Sequence, residues 1–167
     1  MPEAAGARWA RWLALSVAVI VLDLATKAWV TAAFQYGEVH PVLPFFNLVL
    51  VHNTGAAFSF LAGASGWQRW FFTAITVAIS AFIVVMLRKH HADHWMAAAL
   101  ALVLGGALGN LYDRVTLGHV VDFVQLHAAG WYFPAFNVAD SAITVGVAML
   151  IWDSLVPGAA AARQEKT

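Results

Sequence analysis

The sequence predicts an all-α polytopic membrane protein, four transmembrane helices with a small extracytoplasmic β-sheet on the outer membrane face. Three observations predict it. The first is that 62% of the 167 residues are hydrophobic and only 11% charged, with a mean hydropathy of +0.73. A soluble domain carries about 25% charged residues, so this chain cannot coat a water-facing surface and must turn its excess apolar area to lipid. The second is four apolar stretches close to or above the roughly 20 residues that cross a bilayer. The third is a set of eight tryptophans, whose indole joins an apolar body to one polar handle and suits the headgroup level. The length fits a single membrane domain, 1–167.

The spans read as about 12–34, 70–87, 95–112 and 136–156, and the second and third hold no charged residue. Basic residues orient them, because loops rich in Lys and Arg stay in the cytoplasm. Arg8 and Arg11 precede the first span, Arg88 and Lys89 join the second to the third, and Arg163 and Lys166 follow the fourth, all on one side. Lys27, Arg69 and Arg114 fall on or near the other side. Both termini are therefore expected in the cytoplasm, segments 35–69 and 113–135 outside it, and 157–167 as a flexible tail. A competing reading makes the first span a cleaved signal peptide, with basic residues, an apolar core over Trp12 to Leu22 and small residues at Thr31 to Ala33. Its removal would leave the other three spans oriented identically. Asp23 and Lys27 favour retention, because a signal peptide has no use for an ion pair just after its apolar core.

The external segments carry structure of their own. The run from Phe45 to Val51 is aromatic and β-branched yet too short to span, so it predicts a strand. Val120 to His127 and Trp131 to Phe136 predict a hairpin about Ala128-Ala129-Gly130, and the strands together predict a sheet lying on the membrane.

Ionisable residues inside a bilayer are expensive, and each is a functional candidate. Asp23 precedes Lys27 by four residues in the favourable acid-then-base order, which suffices for a structural ion pair. Gly105 and Gly109 form a small-residue face for close helix approach, with Asn110 beside it needing a polar partner and Asp113-Arg114 at the helix end. Asp113 reads as an end cap. Asp140 stands four residues into the fourth span, about 6 Å below its start at 1.5 Å per residue, with Asn137 one turn earlier and no basic residue within a turn. Asp122 interrupts the apolar run Val120 to Val124. The hairpin returns the chain from Asp122 to the start of the fourth span, so the two carboxylates can meet near the outer interface. Two carboxylates close together in low dielectric share one proton, and such a pair hydrolyses an amide by one acid activating water while the other protonates the substrate. Equally, each acid can be satisfied locally or serve a proton relay, as in a small proton-coupled transporter. A transporter would favour acids at the midplane and broken helices, whereas two of these acids lie at one face and no span holds an internal proline.

Other chemistries are disfavoured. Without cysteine there is no disulfide, thiolate metal site or cysteine nucleophile. No basic stripe suggests nucleic acid, and no phosphate-cradling glycine loop or H-E-x-x-H motif is present. No metal or other cofactor is expected. His90-His91-Ala92-Asp93-His94 reads as a solvated cytoplasmic loop. Gly63-Ala64-Ser65-Gly66 matches a serine-protease G-x-S-G but sits in a loop before the second span, and Ser141 beside Asp140 lacks an obvious base, Lys27 being a remote choice.

Five blocks in order carry a family resemblance. They are Asp23-Leu24-Ala25-Thr26-Lys27, the run His52-Asn53-Thr54-Gly55 through Ser59, the run Gly105 through Asn110 to Arg114, Gly118 through Asp122 to Phe123, and Phe136-Asn137-Val138-Ala139-Asp140-Ser141. The chain resembles the bacterial lipoprotein signal peptidases (type II signal peptidases) over nearly its whole length. The resemblance implies Asp122 and Asp140 as catalytic residues of an intramembrane aspartic endopeptidase. It implies Asn53, Gly55, Asn110, Arg114, Asn137 and Ser141 as substrate-binding or site-supporting. The implied substrates are prolipoproteins already diacylglyceryl-modified on a cysteine, cut just before that cysteine. The implied setting is the bacterial inner membrane, with membrane lipid as a partner, a monomeric state and the active site near the extracytoplasmic face. Val138, where leucine is expected as readily, puts nothing in doubt. A non-enzymatic scaffold for lipoprotein maturation is the remaining alternative, separable by peptidase assay of Asp→Asn variants.

Overall fold

A computed structural model describes residues 3–55 and 66–156, with side chains from Trp9 onward. The Gly63-Ala64-Ser65 run, the Ala56 to Ser59 portion of the second block, the 157–167 tail and the side chain of Arg8 lie outside the described residues. Four helices are long and apolar enough to cross a membrane: α1 (Glu3–Ala33), α2 (Trp67–His90), α3 (His94–Thr116) and α4 (Val138–Leu155). The first three run past the apolar stretches that announce them, because hydropathy marks where lipid is while flanking residues of good helix propensity continue the hydrogen-bond ladder. Asp93 starts α3 by accepting from the backbone N–H of Trp95 and Met96, which gives the one acid of the histidine-rich loop a capping role. Among the described residues no cluster could hold a metal ion.

Helix α3 is the buried one and packs against α1, α2 and α4. Its glycines serve two partners at once. Gly105 lies against Ser16 and Val19 of α1, while Gly106 meets the backbone of Ala139 in α4. A Cβ on Gly109 would stand 2.7 Å from Asp23 Oδ2, so the missing side chain is what admits a carboxylate between the helices. Gly146 of α4 completes the seam against Ala99 and Val103.

An antiparallel sheet of order β1-β2-β3-β4 is built from β1 (Val39–Leu43), β2 (Phe46–Asn53), β3 (Val120–Ala128) and β4 (Trp131–Tyr132). Strand β1 is absent from the sequence-based expectation. It is fully exposed and contains Pro41, features that suit an edge and weaken the strand signal. The hairpin turn at Ala129 and Gly130 has positive φ at both residues, 50° and 83°, which matches the right-handed twist of its strands. The predicted strand to Phe136 is corrected to two residues. Pro134 has no N–H for a ladder, and only Phe136 returns to the sheet, in a bridge to Val124. Val121 and Phe123 pack with Val30 and Leu50 into an apolar cluster that seats the sheet on the end of α1.

Candidate active site

Side chains alternate faces along a strand, so burying Val121 and Phe123 in that cluster turns Asp122 to the other side of β3. There it meets the start of α4. Asn137 is the N-cap of α4, in extended conformation, and its Oδ1 accepts from Asp140 N at 2.9 Å while Asp140 Oδ2 accepts from Asn137 N at 3.3 Å. This reciprocal capping box puts Asp140 in the first turn of α4. The expectation of a position about one turn below the helix start is corrected, because Phe136 belongs to the sheet and the helix begins at Val138.

The same Asn137 reaches the other acid. Its Nδ2 donates to Asp122 Oδ1 at 2.7 Å, so one buried residue hydrogen-bonds both carboxylates. Asn53 Nδ2 donates to Asp122 Oδ2 at 3.0 Å, and Asn110 Nδ2 to Asp140 Oδ1 at 2.7 Å. Asp122 is only 2% exposed. Burial first, and then the nearby charge of Asp140, push its carboxyl up to about 7 against the bonds from Asn53 and Asn137.

Arg114 bonds neither acid. Its guanidinium donates to the backbone carbonyls of Asn110 (3.4 Å) and Gly55 (3.1 Å), and Gly55 N in turn donates to Asn53 Oδ1 at 3.0 Å. Arg114 thus braces two of the three asparagines that bond the acids, Asn110 directly and Asn53 through Gly55. Ser141 Oγ donates to Asn137 O at 2.9 Å, a bond local to the helix cap. Lys27, the remote choice of base for that serine, is committed elsewhere. Its Nζ lies 2.7 Å from Asp23 Oδ2, 2.9 Å from Asp113 Oδ2 and 2.9 Å from Asn110 Oδ1. Asp113 is therefore more than an end cap. It shares Lys27 with Asp23 and accepts from Val121 N at 3.1 Å, tying α3 to the strand that carries Asp122.

Asp140, Asn110, Arg114 and Asn53 line one end of a cavity of about 820 Å³. The rest of its wall is mostly apolar, with Ile79 from α2, Val103 and Ala107 from α3, and Ile143 and Val147 from α4. A polar, hydrogen-bonded acid therefore sits at the head of an oily cleft between membrane-spanning helices.

A family model described as "Signal peptidase (SPase) II" matches residues 15–156. The chain belongs to the signal peptidase II family. It is 52% identical over 155 residues to the lipoprotein signal peptidase of Paraburkholderia phymatum, covering 93% of each chain. It is also 52% identical to that of a Janthinobacterium species, covering 86% of this chain and 87% of that protein. Two solved structures, each described as a bacterial membrane enzyme determined by the in meso method, share its fold. At 2.3 Å resolution, one superposes with a TM-score of 0.79 at 35% identity, covering 87% of this chain and 88% of the other. The second, at 1.9 Å, gives 0.78 at 35% identity over 89% and 94%. Membership in the signal peptidase II family makes the chain a multi-pass membrane peptidase, and its four helices and small sheet match those two structures.

Two parts of the site escaped sequence reasoning. The link between Asp122 and Asp140 through Asn137 joins residues 15 apart, and no periodicity rule connects a strand residue to a cap. The participation of Asp113 and Asn110 with Lys27 spans more than eighty positions. The available signal was Asn110 and Asp113 three residues apart on one face of a helix whose one other charged residue is Arg114.

Proposed function

We propose that Asp122 and Asp140 form the catalytic dyad of an aspartic endopeptidase. It removes signal peptides from diacylglyceryl-modified prolipoproteins by cleaving just before the lipidated cysteine. The observation that carries this reading is the single Asn137 bonding both carboxylates at the polar head of an apolar cavity. Asp140 lines that cavity and, as carboxylate, takes a proton from water as its oxygen attacks the scissile carbonyl. Asp122 holds the shared proton at rest and delivers it to the carbonyl oxygen. The proton gained by Asp140 then passes to the leaving nitrogen as the C–N bond breaks, and a hydroxyl of the diol returns its proton to Asp122, leaving a carboxylic acid and the resting pair. Low dielectric strengthens each transfer by excluding bulk water. The apolar walls suit the acyl chains and the signal helix, and Arg114, with Asn53 and Gly55, frames the mouth where an extended peptide backbone passes. The basic residues at Arg11, Arg88 and Lys89 put the opposite ends of the helices in the cytoplasm, so the dyad faces the extracytoplasmic side of the bacterial inner membrane. Working as a monomer, the enzyme needs no metal in this scheme because the two carboxyl groups supply both acid and base.

The pH dependence tests the division of labour. A protonated Asp122 is required, and its carboxyl titrates near 7, so kcat/KM should fall as pH rises through about 7. Stability runs in the same direction. The carboxyl is raised in the folded state above its ordinary 3.8, so its contribution is full below that value and is lost as pH rises through about 7. A rate profile flat from neutral into alkaline pH would rule out Asp122 as the resting acid.

A further inference from the structure

Lys27 lies on α1, a helix that contributes no group to the proposed chemistry, and it is buried at 3% exposure. Its ammonium donates to Asn110 Oδ1 at 2.9 Å and is ion-paired with Asp23 Oδ2 at 2.7 Å and Asp113 Oδ2 at 2.9 Å. The contact with Asn110 matters for the site. A carboxamide presents oxygen on one side and NH₂ on the other, and either end can face a given partner unless something distinguishes them. Lys27 can only donate, so it pins the oxygen of Asn110 toward α1. Asn137 Nδ2, at 3.2 Å, adds a second donor to that oxygen. The NH₂ end is thereby turned onto Asp140 Oδ1 at 2.7 Å. Asp23 and Asp113 hold the ammonium in place, and each is itself fixed by a backbone donor from the site, Ala139 N at 2.9 Å and Val121 N at 3.1 Å. The two donors belong to the residues just before Asp140 and Asp122.

We propose that Lys27, with Asp23 and Asp113, is a positioning residue of the dyad, setting the orientation of the Asn110 carboxamide and through it the hydrogen bond that aims Asp140. The inference rests on the dyad reading given above and adds to it a reason for the cluster beyond holding helices together. Without the ammonium only Asn137 Nδ2, at 3.2 Å, holds the Asn110 oxygen, and any turn of the amide sets that oxygen against a carboxylate and leaves Asp140 with Asn137 N as its remaining donor. A group displaced by about 1 Å in an active site costs roughly a hundredfold in rate.

The test must separate aim from stability, since removing Lys27 alone leaves two carboxylates without their cation. In the Asp23→Asn/Lys27→Met/Asp113→Asn variant no buried charge is orphaned, and each Asn keeps an oxygen for Ala139 N or Val121 N. The Asp23→Asn/Lys27→Met variant loses one group of each sign and leaves Asp113 with Val121 N as its donor in place of its cation, and it serves as the second protein if the first inserts poorly. Each is purified in detergent, its Tm measured, and its kcat and pH profile recorded on a diacylglyceryl-modified precursor peptide. The expected result is a Tm near wild type with kcat lowered about 10- to 100-fold, little change in KM, and a shifted pH profile. Wild-type kcat and an unshifted profile in a variant of restored Tm would overturn the proposal and leave the cluster purely structural. Failure of the dyad reading shows separately, as activity retained in Asp122→Asn or Asp140→Asn.

Discussion

Replacing Asp122 or Asp140 by asparagine is expected to abolish processing of a lipidated precursor, each loss reaching at least the roughly 10²- to 10⁴-fold that a general acid or base contributes. The effect follows from chemistry rather than from collapse of the site. An asparagine at 122 still offers an oxygen to Asn137 Nδ2, which bonds Asp122 at 2.7 Å in the native protein. An asparagine at 140 keeps the backbone half of the capping box, from its own N to Asn137 Oδ1, and loses only the acceptor for Asn137 N. That lost half costs on the order of 1 kcal/mol, so the Asp140→Asn protein should still fold and insert, with a slightly lower Tm. Neither amide can take a proton from water or give one to a peptide carbonyl. Quantifying cleavage of a diacylglyceryl-modified precursor in detergent or liposomes checks this, alongside thermal unfolding of each variant. Near-normal turnover by either one would remove that residue from the dyad.

The second large effect concerns the lipid. The scissile bond must reach Asp140, which lies in the first turn of α4 at the head of the 820 Å³ cavity. A diacylglyceryl group carries two acyl chains, and each buried CH₂ contributes about 0.8 kcal/mol to anchoring, so the modified cysteine is held at a fixed depth. Walls such as Ile79, Val103 and Ile143 give those chains an apolar lining leading up to the acid. An unmodified cysteine has no such constraint and can ride above or below the dyad. With about 1 Å of misplacement worth roughly a hundredfold in rate, kcat/KM for the unlipidated precursor should be at least about a hundredfold lower than for the same peptide carrying the lipid. Comparable cleavage of the two would show that peptide sequence, and not membrane depth, sets recognition.

Much of this was legible from residues alone, for identifiable reasons. Lipid imposes a length and a hydropathy on any helix that crosses it, so four spans stood out even though their ends did not. Asp23 and Lys27 were paired by helical geometry, four residues apart on one face. Asp122 and Asp140 drew attention because a carboxylate is costly in apolar surroundings. What stayed hidden depends on tertiary placement. Nothing local marks β1 as a strand, since its pairing partner and its edge position permit Pro41 and full exposure. The start of α4 was misread by two residues because Phe136 and Asn137 are as apolar or as cap-like in a helix as in a strand exit, and only the bridge to Val124 decides between them. Asn137 itself looked like a neighbour of Asp140 in sequence, and its second task, reaching across to β3, follows only from where the hairpin returns the chain.

Asp122 and Asp140 are proposed to share one proton at neutral pH, and infrared difference spectroscopy of wild type against Asp122→Asn across the neutral range measures that proton directly. A protonated carboxyl band is expected at neutral pH, missing in the variant and titrating away as pH rises through about 7, in parallel with the loss of kcat/KM. A spectrum showing both carboxyl groups fully ionised at neutral pH while the enzyme is at full activity would contradict it.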